Sequence, residues 1–293
     1  MNEVAAPLVS IVIPCYNHID FVQDSIQSVI DQTYQNIELI IIDDGSKDES
    51  VLKIKEMIEK CERRFTRFEF RHRSNKGLSA TLNEALEWCQ GEYFSVIASD
   101  DRMLEDKTQV QVHHFLDNKN CIGVCGGTEI IDESGTVLNR IISKKKSYSF
   151  DEIIMLKHDL PAPTQMVRLK CVKETGGYNV KVKLEDWYMW LLLSKKGELH
   201  YIPQILSQYR SHENNTFKQI STMYDGRIQV LSFYTDEPLY QRAKKRVGWL
   251  KACELSLQSK GKAFKEMAKI LKESPLDVFS YDFIRFVYWL SIK

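Results

Sequence analysis

Strand signals alternate with segments of helical period through the first hundred residues, and this alternation leaves few folds open. Val9–Pro14 is followed by a helical face of Phe21, Val22, Ile26, Val29 and Ile30. Ile37–Ile42 is apolar apart from Glu38 and too short for a helix. Ser46 and Glu49 have capping-box spacing ahead of the face Val51, Ile54, Ile58 and Cys61. Phe68–Arg71 reads as a third strand, Leu78–Cys89 as a helix with Leu82, Ala85, Leu86 and Cys89 inward, and Tyr93–Ala98 as a fourth strand. Runs apolar on both faces and separated by helices make right-handed βαβ units in a mostly parallel sheet. The fold class is therefore α/β. In such sheets ligands sit beyond the carboxyl ends of the strands, so the loops after Ile13, Ile42, Arg71 and Ala98 carry the functional information.

The remaining sequence is less regular. Glu129–Leu138 reads as a hairpin turning at Glu133-Ser134-Gly135, Glu185–Lys195 as a helix and Leu199–Ser211 as short strands. From about Thr216 onward the pattern is helical, which places a boundary there and gives a first domain over 1–215 and a helical region over 216–293. The chain balances 40 Lys and Arg against 40 Asp and Glu, so nucleic acid is not an expected partner. Its seven cysteines form neither a disulfide framework nor a zinc spacing, and they read as reduced core thiols. The first seven residues carry no basic n-region, and no apolar run approaches the ~18 residues that a membrane span needs. The expectation is a cytoplasmic protein.

The polar loops can be weighed one by one. Pro14, Tyr16 and Asn17 follow the first strand. Asp43-Asp44-Gly45-Ser46 follows the second, where a carboxylate can accept the N–H of a base or ribose hydroxyls, or simply cap the next helix. Arg71-His72-Arg73-Ser74-Asn75-Lys76-Gly77 is a basic loop feeding a helix N-terminus, suited to a diphosphate or to plain solvation. Ser99-Asp100-Asp101 ends the fourth strand. Two adjacent carboxylates at the buried end of an apolar strand are costly unless a cation compensates them, and Mg²⁺ or Mn²⁺ suits such a pair. An exposed turn capping the next helix is the alternative.

Taken together, Pro14 with Tyr16-Asn17, Ile40–Ser46, Asn75-x-Gly77 with Asn83, and Ser99-Asp100-Asp101 closely resemble the family 2 glycosyltransferases of the GT-A fold. The resemblance runs from about Leu8 to His212. It extends to Gly176-Gly177-Tyr178 as a glycine loop, Glu185-Asp186 as the acidic pair carrying the base, and Tyr209-Arg210-Ser211-His212 as the segment with a late histidine. It implies a Rossmann-like, mostly parallel sheet with a nucleotide-sugar half over about 1–101 and an acceptor half over about 102–215. It also implies that Asp43 recognises the base while Pro14, Tyr16 and Asn17 shape its pocket. Asp44, Lys76, Gly177 and Glu185 join the nucleotide-sugar set, with Asp100 near the ribose or the metal. Asp101 and His212 would hold Mn²⁺ or Mg²⁺, and Asp186 would be the general base of a single-displacement, inverting transfer. Ser99 departs from the family pattern, standing where a third acidic residue is frequent.

The implied donor is a UDP- or dTDP-sugar, and the implied acceptor is a glycan or lipid-linked glycan of bacterial surface polysaccharide such as O-antigen, lipopolysaccharide core or capsule. Nucleotidyl transfer is disfavoured because no Gly-rich, Lys-containing phosphate loop follows the first strand. A sugar-nucleotide-binding scaffold is disfavoured because it would need no base. Between Gln241 and Lys272 ten basic residues face two acidic ones, and Asp277–Lys293 carries six aromatics. That tail suits either the surface of an anionic membrane or packing on the catalytic domain or a second subunit.

Overall fold

The computed structural model describes residues 6–144, 146–213, 215 and 219–291. In chain order the first strands and helices are β1 (Val9–Cys15), α1 (Val22–Ile30), β2 (Ile37–Asp43), α2 (Ser50–Lys55), α3 (Ile58–Arg64), β3 (Arg67–His72), α4 (Leu78–Trp88) and β4 (Tyr93–Val96). There follow β5 (Arg102–Met103), α5 (Lys107–Asp117), β6 (Cys121–Ile131), β7 (Val137–Ile141), β8 (Ser147–Tyr148), α6 (Phe150–Ile154), β9 (Met166–Arg168) and α7 (Leu169–Glu174). The chain continues through α8 (Glu185–Ser194), β10 (Glu198–Arg210), α9 (Ile220–Leu231), α10 (Tyr240–Gln258), α11 (Lys260–Glu273) and α12 (Tyr281–Ser291).

The chain divides into two compact units. One comprises Met1–Ser149, His158–Lys181 and Met189–His212; the other comprises Phe150–Lys157, Val182–Tyr188 and Glu213–Lys293.

In the first unit the strands form one sheet in the order β3-β2-β1-β4-β9-β6-β10-β5, with β7 added on β6 and β8 on β10. β3, β2, β1 and β4 are mutually parallel, as are β6 and β10; the short β9 joins the two blocks by antiparallel pairing on both sides. Every residue of β2 is buried, as in a strand covered on both faces; even Glu38 is buried, its carboxylate accepting from Ser10 Oγ and pairing with Arg67. Ile11, Ile13, Leu39 and Ile41 pack with Val22, Ile26 and Val29 of α1 in the main core. Burial of each such side chain contributes about 1.5–3 kcal/mol. The β1–β2 register aligns Cys15 with Asp43, so the loops after the two strands start side by side.

Two local expectations change. Ser46 does not cap α2, which begins at Ser50, with the Asp48 carboxylate accepting the Ser50 N–H; Ser46 instead hydrogen-bonds the Asp43 carboxylate and the Asn17 N–H. The region read as short strands is one long strand, β10, whose register slips between Ile202 and Ser207. Pro203 sits within that irregular stretch, where its missing N–H is tolerated.

The second unit contains a helical cluster in which Trp249, Ala252 and Cys253 of α10 pack with Ala263 of α11 and Phe286 of α12. Phe283 and Trp289 also turn into this cluster, so α12 packs on neighbouring helices of its own unit. The opposite face of the tail leaves Phe279, Tyr281, Ile284 and Tyr288 exposed.

Candidate active site

Side chains stitch the loops after β1 and β2 into one floor. Asn17 takes a positive φ of 56°, a conformation Asn tolerates better than most residues. Its Oδ1 accepts the Lys47 N–H at 2.7 Å, and its own N–H donates to Ser46 Oγ at 2.9 Å. The His18 N–H donates to Ser50 Oγ at 3.0 Å, and the Ile19 N–H to Asp48 Oδ2 at 3.1 Å. This anchoring turns the His18 ring toward the end of β4. Pro14 is half-buried at the end of β1 and Tyr16 is exposed beyond it.

Asp43 is fully buried. Its Oδ1 accepts the backbone N–H groups of Gly45 and Ser46 at 3.1 and 3.0 Å, and it lies 2.8 Å from His72 Nδ1. Asp44 accepts the N–H groups of Lys76 and Gly77, both at 2.8 Å, and pairs with Arg73. It thereby pins the third loop against the second. Gly45 is required there: at φ +78° a Cβ would lie 2.6 Å from the Asn75 nitrogen. Arg73 also bonds Glu84, and Arg71 bonds Glu69 and Glu84, so these two arginines are engaged in ion pairs. Lys76 lines an open depression of about 850 Å³ with His72, Arg73, Asn83, Glu84 and Val180.

Gly177 lies over α4, where a Cβ would sit 2.6 Å from Asn83 Oδ1. Its absence lets Asn83 pair with the backbone of Tyr178 in both directions at 2.7 Å.

Beyond β4 the two aspartates diverge. Asp101 is buried, and its Oδ1 accepts the Arg210 N–H at 2.9 Å. Burial, and then the neighbouring Asp100 charge, holds its carboxyl well above the usual range. Asp100 faces the other way. Its Oδ2 is 2.9 Å from His212 Nε2, and its Oδ1 is 3.8 Å from His18 Nδ1. One nitrogen from each histidine and one Asp100 oxygen all lie within 4.8 Å of one another. Ser99 Oγ lies 2.7 Å from His18 Nδ1. Burial lowers the His18 pKa in spite of Asp100, which keeps the ring neutral and its nitrogen available as a ligand. Phe21 stacks on His212 with ring centroids 5.7 Å apart.

Arg210 holds this turn from behind. Its guanidinium is completely buried, donates from Nε to the Asp100 carbonyl at 2.8 Å and from Nη1 to the Glu133 carbonyl at 2.8 Å, pairs with Asp24, and lies 4.8 Å over the Phe21 ring. The sequence reading assigned Asp100 and His212 to the site and missed His18 and Arg210. His18 directly follows Tyr16-Asn17 at a strand's carboxyl end, so its position was a usable signal. Arg210 had none, since a buried arginine reads like any surface one.

Glu185 and Asp186 belong to the second unit, where they open α8. The Asp186 Oδ1 accepts the Trp187 N–H at 2.6 Å, and Trp187 Nε1 donates to the Ile153 carbonyl at 2.9 Å. Burial raises both carboxyl pKa values. For Glu185 the charge of Asp186 adds to burial and pushes it to about 8, so the pair holds on to a proton well above the usual carboxylate range.

Residues 10–170 match the model of the glycosyl transferase family 2. Among curated relatives, the chain is 31% identical over 211 residues to the putative teichuronic acid biosynthesis glycosyltransferase TuaG of Bacillus subtilis, covering 71% of this chain and 81% of TuaG. It is 29% identical over 238 residues to the UDP-Glc:α-D-GlcNAc-diphosphoundecaprenol β-1,3-glucosyltransferase WfgD of Escherichia coli, covering 79% and 88%. An uncharacterised glycosyltransferase of Rickettsia felis is 30% identical over 226 residues; the match covers 75% of this chain but only 36% of that longer protein. The fold is shared with S. aureus TarS 1–349 in complex with UDP-GlcNAc, at TM-score 0.63 and 15% identity over 91% of this chain and 80% of that one. It is shared also with the mannosyltransferase PcManGT of Pyrobaculum calidifontis in complex with GDP-Man and Mn²⁺, at TM-score 0.66 and 11% identity over 99% and 84%. With the loop motifs in family order on a GT-A sheet, the chain belongs to glycosyl transferase family 2.

Proposed function

We propose that the protein is an inverting glycosyltransferase that moves a sugar from a uridine or thymidine diphosphate donor to a hydroxyl of a bacterial surface glycan or its lipid-linked precursor. The observation that carries this reading is the convergence of His18, Asp100 and His212 at the carboxyl end of β4, where a donor's diphosphate would be held. Two imidazole nitrogens and a carboxylate fit a divalent cation. They suit Mn²⁺ better than Mg²⁺, which favours an all-oxygen shell. Such an ion, when bound, supplies charge to stabilise the departing diphosphate.

The chain's own residues have separate tasks in this reading. Asp43 and its hydrogen-bonded turn form the base end of the donor pocket with Pro14, Tyr16 and Asn17. Asp44 fixes the loop that presents Lys76. Asp101 and Arg210 position Asp100, so the metal role expected of Asp101 passes to its neighbour, with Asp101 anchoring β10. Asp186 takes the proton of the attacking hydroxyl, and protonated Glu185 keeps that carboxylate singly charged. One base and no nucleophile means a single displacement with inversion. Donors in the printed names of WfgD and TarS, UDP-Glc and UDP-GlcNAc, favour uridine over guanine here.

The basic and aromatic tail supports a peripheral contact with an anionic membrane, where lipid-linked acceptors reside. Incubation with a panel of nucleotide sugars and Mn²⁺ tests the activity. Nucleoside diphosphate release is expected from a UDP- or dTDP-sugar, reduced about 10²–10⁴-fold in Asp186→Asn. Equal release by the variant would remove Asp186 from the mechanism.

A further inference from the structure

A second group of metal-ligating side chains lies far along the same sheet from the site just described. His114 is in the last turn of α5, Cys121 opens β6 after a tight connection, and His200 is on β10, which runs parallel to β6. The register pairs Glu198 with Cys121 and slips between Glu198 and Leu199, an irregularity that leaves Cys121 beside Glu198 and near His200. His114 Nε2 and His200 Nδ1 are 2.9 Å apart, and one ring nitrogen from each histidine and the Cys121 sulfur all lie within 4.8 Å of one another.

Three features make this more than a chance meeting. The first is the donor set: a thiol with two imidazoles is the soft, nitrogen-rich set that selects zinc over magnesium or manganese. The second is the far side of His200, where Nε2 lies 2.8 Å from a Glu198 carboxylate oxygen. A carboxylate on the outer nitrogen of a histidine fixes its tautomer and aims the other lone pair inward, as in carboxylate–histidine–zinc triads. The third is access. A cavity of about 380 Å³ is lined by His114 and His200 together with Lys146, Ser147, Tyr201 and Pro203, so a fourth coordination position opens on water. Tetrahedral zinc with ordinary bond lengths holds such ligand atoms roughly 3.3–3.6 Å apart.

We propose that His114, Cys121 and His200 form a Zn²⁺ site with three protein ligands and a fourth, solvent-facing position, independent of the transferase centre. Binding would convert the Cys121 thiol, which now donates to the Gly123 carbonyl at 3.2 Å, to a thiolate and release its proton to solvent. The bound ion would tie the end of α5 to the starts of β6 and β10.

Cobalt substitution separates this site from the first, which has no sulfur. The full-length protein, stripped of metal, is titrated with Co²⁺ and then with Zn²⁺. A thiolate-to-cobalt charge-transfer band is expected to saturate at one equivalent and to be bleached by one equivalent of Zn²⁺. It should be absent in Cys121→Ser and in His200→Gln and kept in His212→Ala. Zn²⁺ should also raise the Tm of the wild type and leave that of His200→Gln unmoved. Circular dichroism confirms that each variant is folded, and His200→Gln, at a half-buried position, serves if Cys121→Ser is not. No charge-transfer band in the wild type, or a band retained in either variant, would overturn the proposal while leaving the transferase reading intact.

Discussion

Asp100 and Asp101 show how differently two adjacent carboxylates can be placed. Neighbours in sequence, they point in opposite directions because the turn that ends β4 is held from both sides, by Arg210 on one and by the histidines on the other. The pair at the start of α8 divides its labour by charge instead. Burial and mutual repulsion keep one proton between Glu185 and Asp186, which is the condition for a carboxylate base with raised basicity. For the reaction, the base must be ionised, so kcat/KM is expected to climb with pH along an acid limb lying above the ordinary carboxylate range of about 4. Asp186→Asn should flatten that limb. A limb at unchanged pH in the variant would assign it to another group.

At the scale of elements, the first strands were legible because β1, β2 and β4 are buried on both faces and so are mostly apolar, the exceptions Ser10, Glu38 and Ser95 being hydrogen-bonded. The same logic misplaced the start of α2: Ser46 has the spacing of a cap, yet Asp43 and Asn17 compete for its hydroxyl and win. The irregular β10 was read as several strands because Pro203 and three register slips break its pattern. What could not be read was the meeting of residues from distant elements, such as His18 with His212 or His114 with His200, since periodicity carries no information on which loops converge. Lys107, in the first turn of α5, is another such case. It is fully buried and donates to Ser95 Oγ at 2.8 Å, and burial lowers its pKa from 10.5 to about 7. A lysine depressed on folding makes stability fall as pH drops from about 10.5 toward 7, with the full loss present below that. Lys107→Met is therefore expected to raise stability at pH 7 by about 1–4 kcal/mol and to flatten the wild type's stability gain between pH 7 and 9.5. Urea denaturation at the two pH values measures both; a destabilised variant would show the ammonium to be more than compensated.

For the whole molecule, the family match covers residues 10–170, and the second unit adds the helices of the C-terminal region. No helix among the described residues is long and apolar enough to cross a membrane. Half of α12 faces its own helical cluster, while Phe279 and Tyr281 remain 81% and 72% exposed beside a basic stretch. Binding to vesicles rich in phosphatidylglycerol is expected at low salt, weakening with added salt and with the double change Phe279→Ser and Tyr281→Ser. Failure to co-sediment at low salt would assign that face to another partner. The central claim concerns the cation between His18, Asp100 and His212, and calorimetric titration of UDP with and without Mn²⁺ tests it most directly. UDP is expected to bind at least about tenfold more tightly with Mn²⁺, a coupling of roughly 1.4 kcal/mol, and Asp100→Asn should abolish the difference. Equal affinity with and without the metal in the wild type would contradict the claim.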